Sequence, residues 1–400
     1  MREVQPDVVE TDRALPPAAM VARVRPHLAA LGITRLADLT GLDRIGVPVF
    51  AAVRPNARSV ATSQGKGLTA DAARAAALME AVESWHAERP PGPLRYAAAS
   101  ELRDRPLIDL ARLARIAGTR LDRDRSILWS EGTDLRTAEP HWLPYEVVHT
   151  DYRLPQPPAA GCFPVGSNGL GAGGTRAEAV RHALLELIER DALSLWWQRT
   201  AAARGGRVAL PDDPGTPLGR LLGALAAAGF AAAVHDVTSD LAVPAFAAVI
   251  ADRLDPQGHA GLGSAAHLSA ARAVQQALLE AIQVRTSYIA GARDDLSPGE
   301  YAAGGAEAKR RWVEALLVDS APSAPLRADA PAAGLAAEDQ VAWLLERLAG
   351  AGMDGAVGVD LSRPEIGLPV WRVVVPGLEG TADDPDYLPG ARARAARGGP

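Results

Sequence analysis

The stretch "ALLELIER", residues 183–190, decides how the chain is read. Leu184, Leu185, Leu187 and Ile188 supply the apolar side of a helix, while Glu186 and Glu189 project three residues apart on another. Like charges at that spacing repel slightly on an isolated helix. The phrase follows a glycine-rich run, "GSNGLGAGGT" (166–175), and the pattern predicts a helix over Arg176–Arg199. Nearly the same wording recurs as "ARAAALMEAVE" (73–83) after "GKG" and "AVQQALLEAIQ" (273–283) after "GLG". Alanine, leucine and glutamate are good helix formers, so one copy carries little weight. Three copies, each led in by glycine, read either as a duplication kept for packing or as a repeated glycine-turn/acidic-helix device. The second Glu of the pair recurs as Glu83 and Glu189 and becomes Gln283 in the third copy, which keeps an oxygen ligand.

Glu80, Glu83, Glu186 and Glu189 crowded together in a partly buried place require cations. Magnesium suits them, because it takes hard oxygen ligands and commonly holds phosphates as well. Glycine turns at helix N-termini offer backbone N–H groups to phosphate, and the helix dipole adds to this. Lys66, within "GKG", adds a point charge, and Arg190 and Arg285 follow two of the acidic clusters. His182, one turn before Glu186, reads as a nucleotide contact or a structural polar residue. Neither GxxxxGK[ST] nor the kinase HRD and DFG set is present, so the expected nucleotide and metal site is of another kind.

Composition narrows the class. The 400 residues are 48% hydrophobic and carry a net charge of -6, which offers no basic field for nucleic acid or an anionic membrane. Cys162 is the sole cysteine, excluding an intramolecular disulfide and a multi-cysteine zinc site. Residues 1–17 lack the apolar core of a signal peptide, and no run reaches membrane-span length. The expectation is a cytoplasmic protein with no nucleic-acid or membrane partner. Strand patterns at "VPVFAAV", "SILWSEG", "HWLPYEVV", "VPAFAAVIAD", "GAVGVDL" and "LPVWRVVVPG" alternate with the helices, predicting mixed α/β with no dividing linker. The expected organisation is a flexible segment over 1–15, one domain over 16–380 and a mobile tail over 381–400.

With "SQGKGLTADAARAAALMEAVE", "GSNGLGAGGTRAEAVRHALLELIERDA", "AVQQALLEAIQVR" and "LPVWRVVVPGLEG" in this order, the chain resembles the YcaO family. The resemblance implies a mixed-sheet α/β fold with ATP and Mg²⁺ as cofactors. It also implies activation of a peptide backbone amide by phosphorylation of its oxygen. Attack by a neighbouring Cys, Ser or Thr then gives an azoline, and attack by a sulfide equivalent gives a thioamide. On this resemblance Glu80 and Glu83 match the first metal-binding pair, and Glu186 and Glu189 the second. Glu178, Arg190, Glu280, Gln283, Arg285 and Arg13 match nucleotide-site positions; no catalytic residue is assigned.

Ala76, Ser84, Gly174 and Met20 depart from the family pattern at nucleotide contacts and leave the metal positions intact. The chain ends "RGGP" without the Pro-x-Pro-x-Pro tail of many azoline formers. "GITRLADLTGLDRIGVPV" and "ALMEAVESWHAE" look most like members that work with a TfuA-like partner, several of which install thioamides. The implied partners are a precursor peptide, a TfuA-like protein and a separate leader-binding protein, with a homodimer left open. A cyclodehydratase and a non-catalytic peptide-binding scaffold are the rival readings. His86 and Cys162 read first as structural, and Arg372 in "VWRVVV" as facing either cleft or solvent.

Overall fold

The computed structural model describes residues 13–200, 203–204, 206–211, 213–255, 258–291, 293, 298–301, 303–318, 324–380 and 387–398. The first elements are helix α1 (Pro17–Val24), strands β1 (Arg35–Asp38), β2 (Val49–Val53) and β3 (Thr62–Lys66), and helix α2 (Ala70–Ala87). Strands β4 (Arg95–Ala97), β5 (Ile127–Asp134), β6 (Pro140–Pro144) and β7 (Leu170–Ala172) lead to helices α3 (Arg176–Gln198) and α4 (Pro217–Ala227). Then come β8 (Phe230–Asp236), β9 (Ala245–Asp252), β10 (Gly261–Ala266) and helices α5 (Ala270–Ala290), α6 (Pro298–Tyr301) and α7 (Ala303–Val318). Helix α8 (Ala337–Gly350), strands β11 (Val357–Asp360) and β12 (Val370–Val374), and helix α9 (Ala391–Gly398) complete the order.

The interleaving that hid any linker is real. Contacts divide the chain into two units, each assembled from separated segments. The first unit takes residues 1–81, 204–238 and 243–333; the second takes 82–203, 239–242 and 334–400.

In the first unit, β1-β2-β3 form one antiparallel sheet and β10-β9-β8 another. Strand β9 is central and almost wholly buried, as its apolar run requires. Phe246 and Ile250 of β9 join Leu278 and Ile282 of α5 and Leu221 and Leu225 of α4 in one core. In the second unit the antiparallel order is β4-β5-β11-β12-β7, with β6 also on β5. Helix α3 packs on β7 and β12 and buries Leu184 and Ile188.

The three strands that precede the Ala-Leu-Glu helices, β3, β7 and β10, are all sheet edges. An edge leaves a row of unpaired N–H and C=O groups that a helix can cover. Close cover needs glycine. A Cβ on Gly65 would overlap Ala73 O and Ala77 N of α2, and one on Gly171 would overlap Ala179 O of α3. These alanines hold matching places in "ARAAALMEAVE" and "AVRHALLELIE". Gly263 of β10 lies six residues before Ser269, two further back than Gly65 and Gly171 lie before Thr69 and Thr175, and it meets Ala277 O and Ala281 N one helical turn further along α5, as an unshifted strand–helix pair requires. Because the obstructing atoms are backbone, Gly171→Ala should destabilise the protein by about 3 kcal/mol, the upper range for overpacking. Denaturant unfolding of wild type and variant measures this.

Within the expected tail, residues 387–398 make specific contacts. Tyr387 forms a β-bridge with Ile116, and α9 is anchored in the second unit. Arg392 grips Asp191 with two hydrogen bonds, Nε to Oδ1 at 3.0 Å and Nη2 to Oδ2 at 2.9 Å, and also bonds Asp240. Glu379 accepts N–H groups from Gly390 (2.8 Å) and Ala393 (2.9 Å), a carboxylate placed where the helix dipole favours it. Residues 381–386 and 399–400, and residues 1–12 of the expected N-terminal segment, lie outside the described residues.

Candidate functional site

In the second unit the candidate carboxylates gather along one strand. Helix α3 starts at the N-cap Thr175, whose hydroxyl accepts the Glu178 N–H, while Glu178 Oε2 accepts the Gly174 N–H at 2.7 Å. This reciprocal cap fixes the glycine run against the helix. Eight residues on, Glu186 Oε1 accepts the Gly169 N–H at 3.1 Å. Glu83 Oε1 accepts the N–H of Ala172 at 2.7 Å. Two carboxylates from different helices therefore bind edge strand β7 and the residue just before it, three positions apart. Arg190 pairs with Glu186 at 3.4 Å. Glu189 and His182 are half-buried on the same helix.

The turn before β7 holds an orphaned polar atom. Asn168 Oδ1 is buried and accepts no hydrogen bond. An unsatisfied oxygen beside the Gly169 N–H that holds Glu186 fits a cation or a hydrated cation, and the donor set is the hard-oxygen kind that magnesium prefers. Among the described residues no three His, Cys, Asp or Glu side chains are drawn into one metal-holding group. Instead, Glu83 and Glu186 take backbone N–H groups as partners.

In the first unit, Glu80 Oε2 accepts the Gln64 N–H of edge strand β3 at 2.9 Å, as Glu186 does beside β7. Lys66 is ion-paired with Glu280, both side chains being partly exposed. Gln283 is 7% exposed and its Oε1 has no hydrogen-bond partner. Arg13 is exposed. Arg285 is placed otherwise. It is 6% exposed, bonds Asp43 at 2.7 Å, the His259 carbonyl and Asp252, and lies over the Phe230 ring. Its donors serve the packing of this unit.

Arg372 settles toward neither solvent nor an open cleft. It is 2% exposed and donates to the carbonyls of Val148, Gly166 and Asn168. Burial pushes its pKa down to about 10, with Glu186 acting in the opposite direction, so the side chain is charged at neutral pH. His86 is structural: fully buried, with Nδ1 2.7 Å from Val82 O. Cys162 is half-buried, and burial raises its thiol pKa.

His149, unremarked in the sequence, is 1% exposed and stacks on Tyr145. Its Nδ1 accepts the Asp151 N–H at 3.0 Å, which requires the unprotonated state at that nitrogen. Burial lowers its pKa from 6.5 to about 4, against the pull of Asp151 and with help from Arg372. The unfolded chain thus binds the proton more tightly, so His149 stabilises the fold above pH 6.5 and loses this contribution as pH falls toward 4. Chemical denaturation across that window should show a steeper loss in wild type than in His149→Gln.

Edge-strand glycines, glycine-led helices and carboxylates bound to strand N–H groups thus recur across this α/β protein. The family model described as YcaO cyclodehydratase, ATP- and Mg²⁺-binding, matches residues 64–379, and the chain belongs to the YcaO family. ATP and Mg²⁺ are this family's cofactors, and its members are ATP-dependent peptide-modifying enzymes. An uncharacterized protein in the tfuA 3′ region of Rhizobium leguminosarum bv. trifolii is 34% identical over 377 residues, covering 92% of this chain and 89% of that protein. The structure of YcaO from Methanopyrus kandleri, bound with AMPPCP and Mg²⁺, aligns with TM-score 0.71 at 24% identity, over 94% of this chain and 95% of that one. A heterocyclase in complex with substrate and cofactor aligns with TM-score 0.73 at 24% identity and 95% coverage of this chain. The chain spans about half, 55%, of that heterocyclase's length. These structural likenesses establish the mixed α/β fold. Among the described residues no helix is long and apolar enough to cross a membrane.

Proposed function

We propose that this chain uses ATP and magnesium to activate a backbone amide of a ribosomally made peptide, and that with a TfuA-like partner it delivers a thioamide. The observation that carries the reading is that Glu83 and Glu186, from different helices, each bind an N–H at edge strand β7, at Ala172 and at Gly169, the neighbour in sequence of Asn168 with its unsatisfied oxygen. Glu80, Glu83, Glu186 and Glu189 are assigned to magnesium. Lys66, Glu178, His182, Arg190, Glu280 and Gln283 are assigned to the nucleotide, together with Arg13. When bound, magnesium supplies charge neutralisation for the phosphates. The chain's own part is positional: Glu178 fixes the glycine run at the start of α3, and Arg190 offers a cation beside Glu186.

The relative in the tfuA 3′ region supports a TfuA-like partner. A separate leader-binding protein completes the proposed assembly. The family model's description as a cyclodehydratase favours a second reading, azoline formation. Co-expression with a short peptide encoded nearby, with and without a TfuA-like protein, separates the two by mass spectrometry. Exchange of oxygen for sulfur raises the peptide mass and marks thioamide formation; loss of water marks an azoline. An unchanged peptide, with no ADP released by the purified components, would favour a non-catalytic scaffold.

A further inference from the structure

Arg372 is a buried cation that no carboxylate pairs with among the described residues. All its hydrogen bonds go to main-chain carbonyls, and two of these, Gly166 O and Asn168 O, belong to the turn before β7. A buried charge is costly, and an apolar residue at this place in β12 would pack without that cost. What the guanidinium supplies is a planar fork of donors, able to hold several carbonyls of an irregular loop at once.

The held turn leads directly to Glu186. Arg372 sits opposite Leu170 in the β12–β7 register, and the next residue, Val373, donates its N–H to Gly169 O at 2.8 Å. Leu170 N–H closes the turn on Ser167 O at 2.9 Å. Gly169 has φ +82°, and a Cβ there would overlap Val373 O. With its carbonyl held by Val373 and its neighbours held by Arg372, Gly169 can aim its N–H in one direction, at Glu186 Oε1.

We propose, building on the reading of Glu186 as a magnesium ligand, that Arg372 is a positioning residue that fixes the 166–169 turn and thereby orients the Glu186 carboxylate for the metal. Carboxylates that bind metals are themselves held by hydrogen bonds, and losing such a holder costs metal affinity tenfold or more.

The test uses the full chain, Mn²⁺ as a paramagnetic probe, and AMPPCP. Arg372→Lys keeps the positive charge but cannot span the same carbonyls. It should weaken Mn²⁺ binding by about tenfold, and amide exchange should quicken over 166–170 while α3 stays protected. In a Glu186→Gln background the same substitution should cause no further loss, because its effect passes through that carboxylate. Unchanged Mn²⁺ affinity in folded Arg372→Lys, or an equal further loss in the Glu186→Gln background, overturns the positioning role. Should Arg372→Lys not fold, Gly169→Ala displaces the same N–H with Arg372 intact. It should give the same loss of affinity, and wild-type affinity in that variant overturns the role equally. A wild-type chain that takes up no Mn²⁺ with AMPPCP refutes the magnesium reading itself, and the positioning role falls with it.

Discussion

Glu186→Gln should lower magnesium-nucleotide affinity and ATP turnover by on the order of a hundredfold, the scale on which a preorganised electrostatic contact is lost, while barely shifting the unfolding midpoint. Glutamine keeps the length and the carbonyl oxygen, so the Gly169 N–H retains an acceptor and the turn before β7 retains its shape. What disappears is the negative charge. Glu146 in the same unit provides the contrast. It is 5% exposed, and burial raises its pKa despite N–H groups from Gly161, Phe163 and Cys162. Its surroundings disfavour charge, so Glu146→Gln should leave metal affinity at the wild-type level. Titration calorimetry with Mg²⁺ and AMPPCP compares the variants. Equal affinities for Glu186→Gln and wild type would remove Glu186 from the metal assignment.

The parts of the fold legible in the sequence are those encoded locally. Helices α2, α3 and α5 could be placed because alanine and leucine recur at helical spacing after glycine. Those same residues give β3, β7 and β10 their close approach. Helix α1 stops at Val24, where a 3₁₀ turn containing Pro26 begins. The expected extended reading of "HWLPYEVV" holds only to Pro144, where a 3₁₀ turn begins.

Long-range pairing was illegible. "ARARAARGGP" looks like a solvated tail because nothing nearby in sequence completes it; its anchor Asp191 lies 201 residues away. The division into two units was hidden for the same reason, since each unit draws on three stretches of chain. Arg372 was undecided between cleft and solvent because strand alternation says which face a residue takes, and cannot say that three carbonyls wait there.

Arg285 and Arg190 looked alike in sequence, each a basic residue just past an acidic cluster, and substitution should separate them most sharply. Arg285→Ala strands two buried carboxylates, Asp43 and Asp252, whose side chains are 4% and 0% exposed. It also removes the donor to His259 O and the cation over Phe230, a ring belonging to the main core of the first unit. Breaking one partner out of a buried charge cluster costs about 3–5 kcal/mol. Arg44 also bonds Asp252 and recovers part of that loss for one carboxylate, leaving Asp43 the more exposed to it. Arg190→Ala removes a partly exposed ion pair at 3.4 Å, worth about 1 kcal/mol at most. Urea unfolding should therefore show a large loss of stability for Arg285→Ala and little for Arg190→Ala. AMPPCP binding, measured where both variants are folded, should fall for Arg190→Ala alone; a nucleotide-specific defect in a stable Arg285→Ala protein would return Arg285 to the phosphate site.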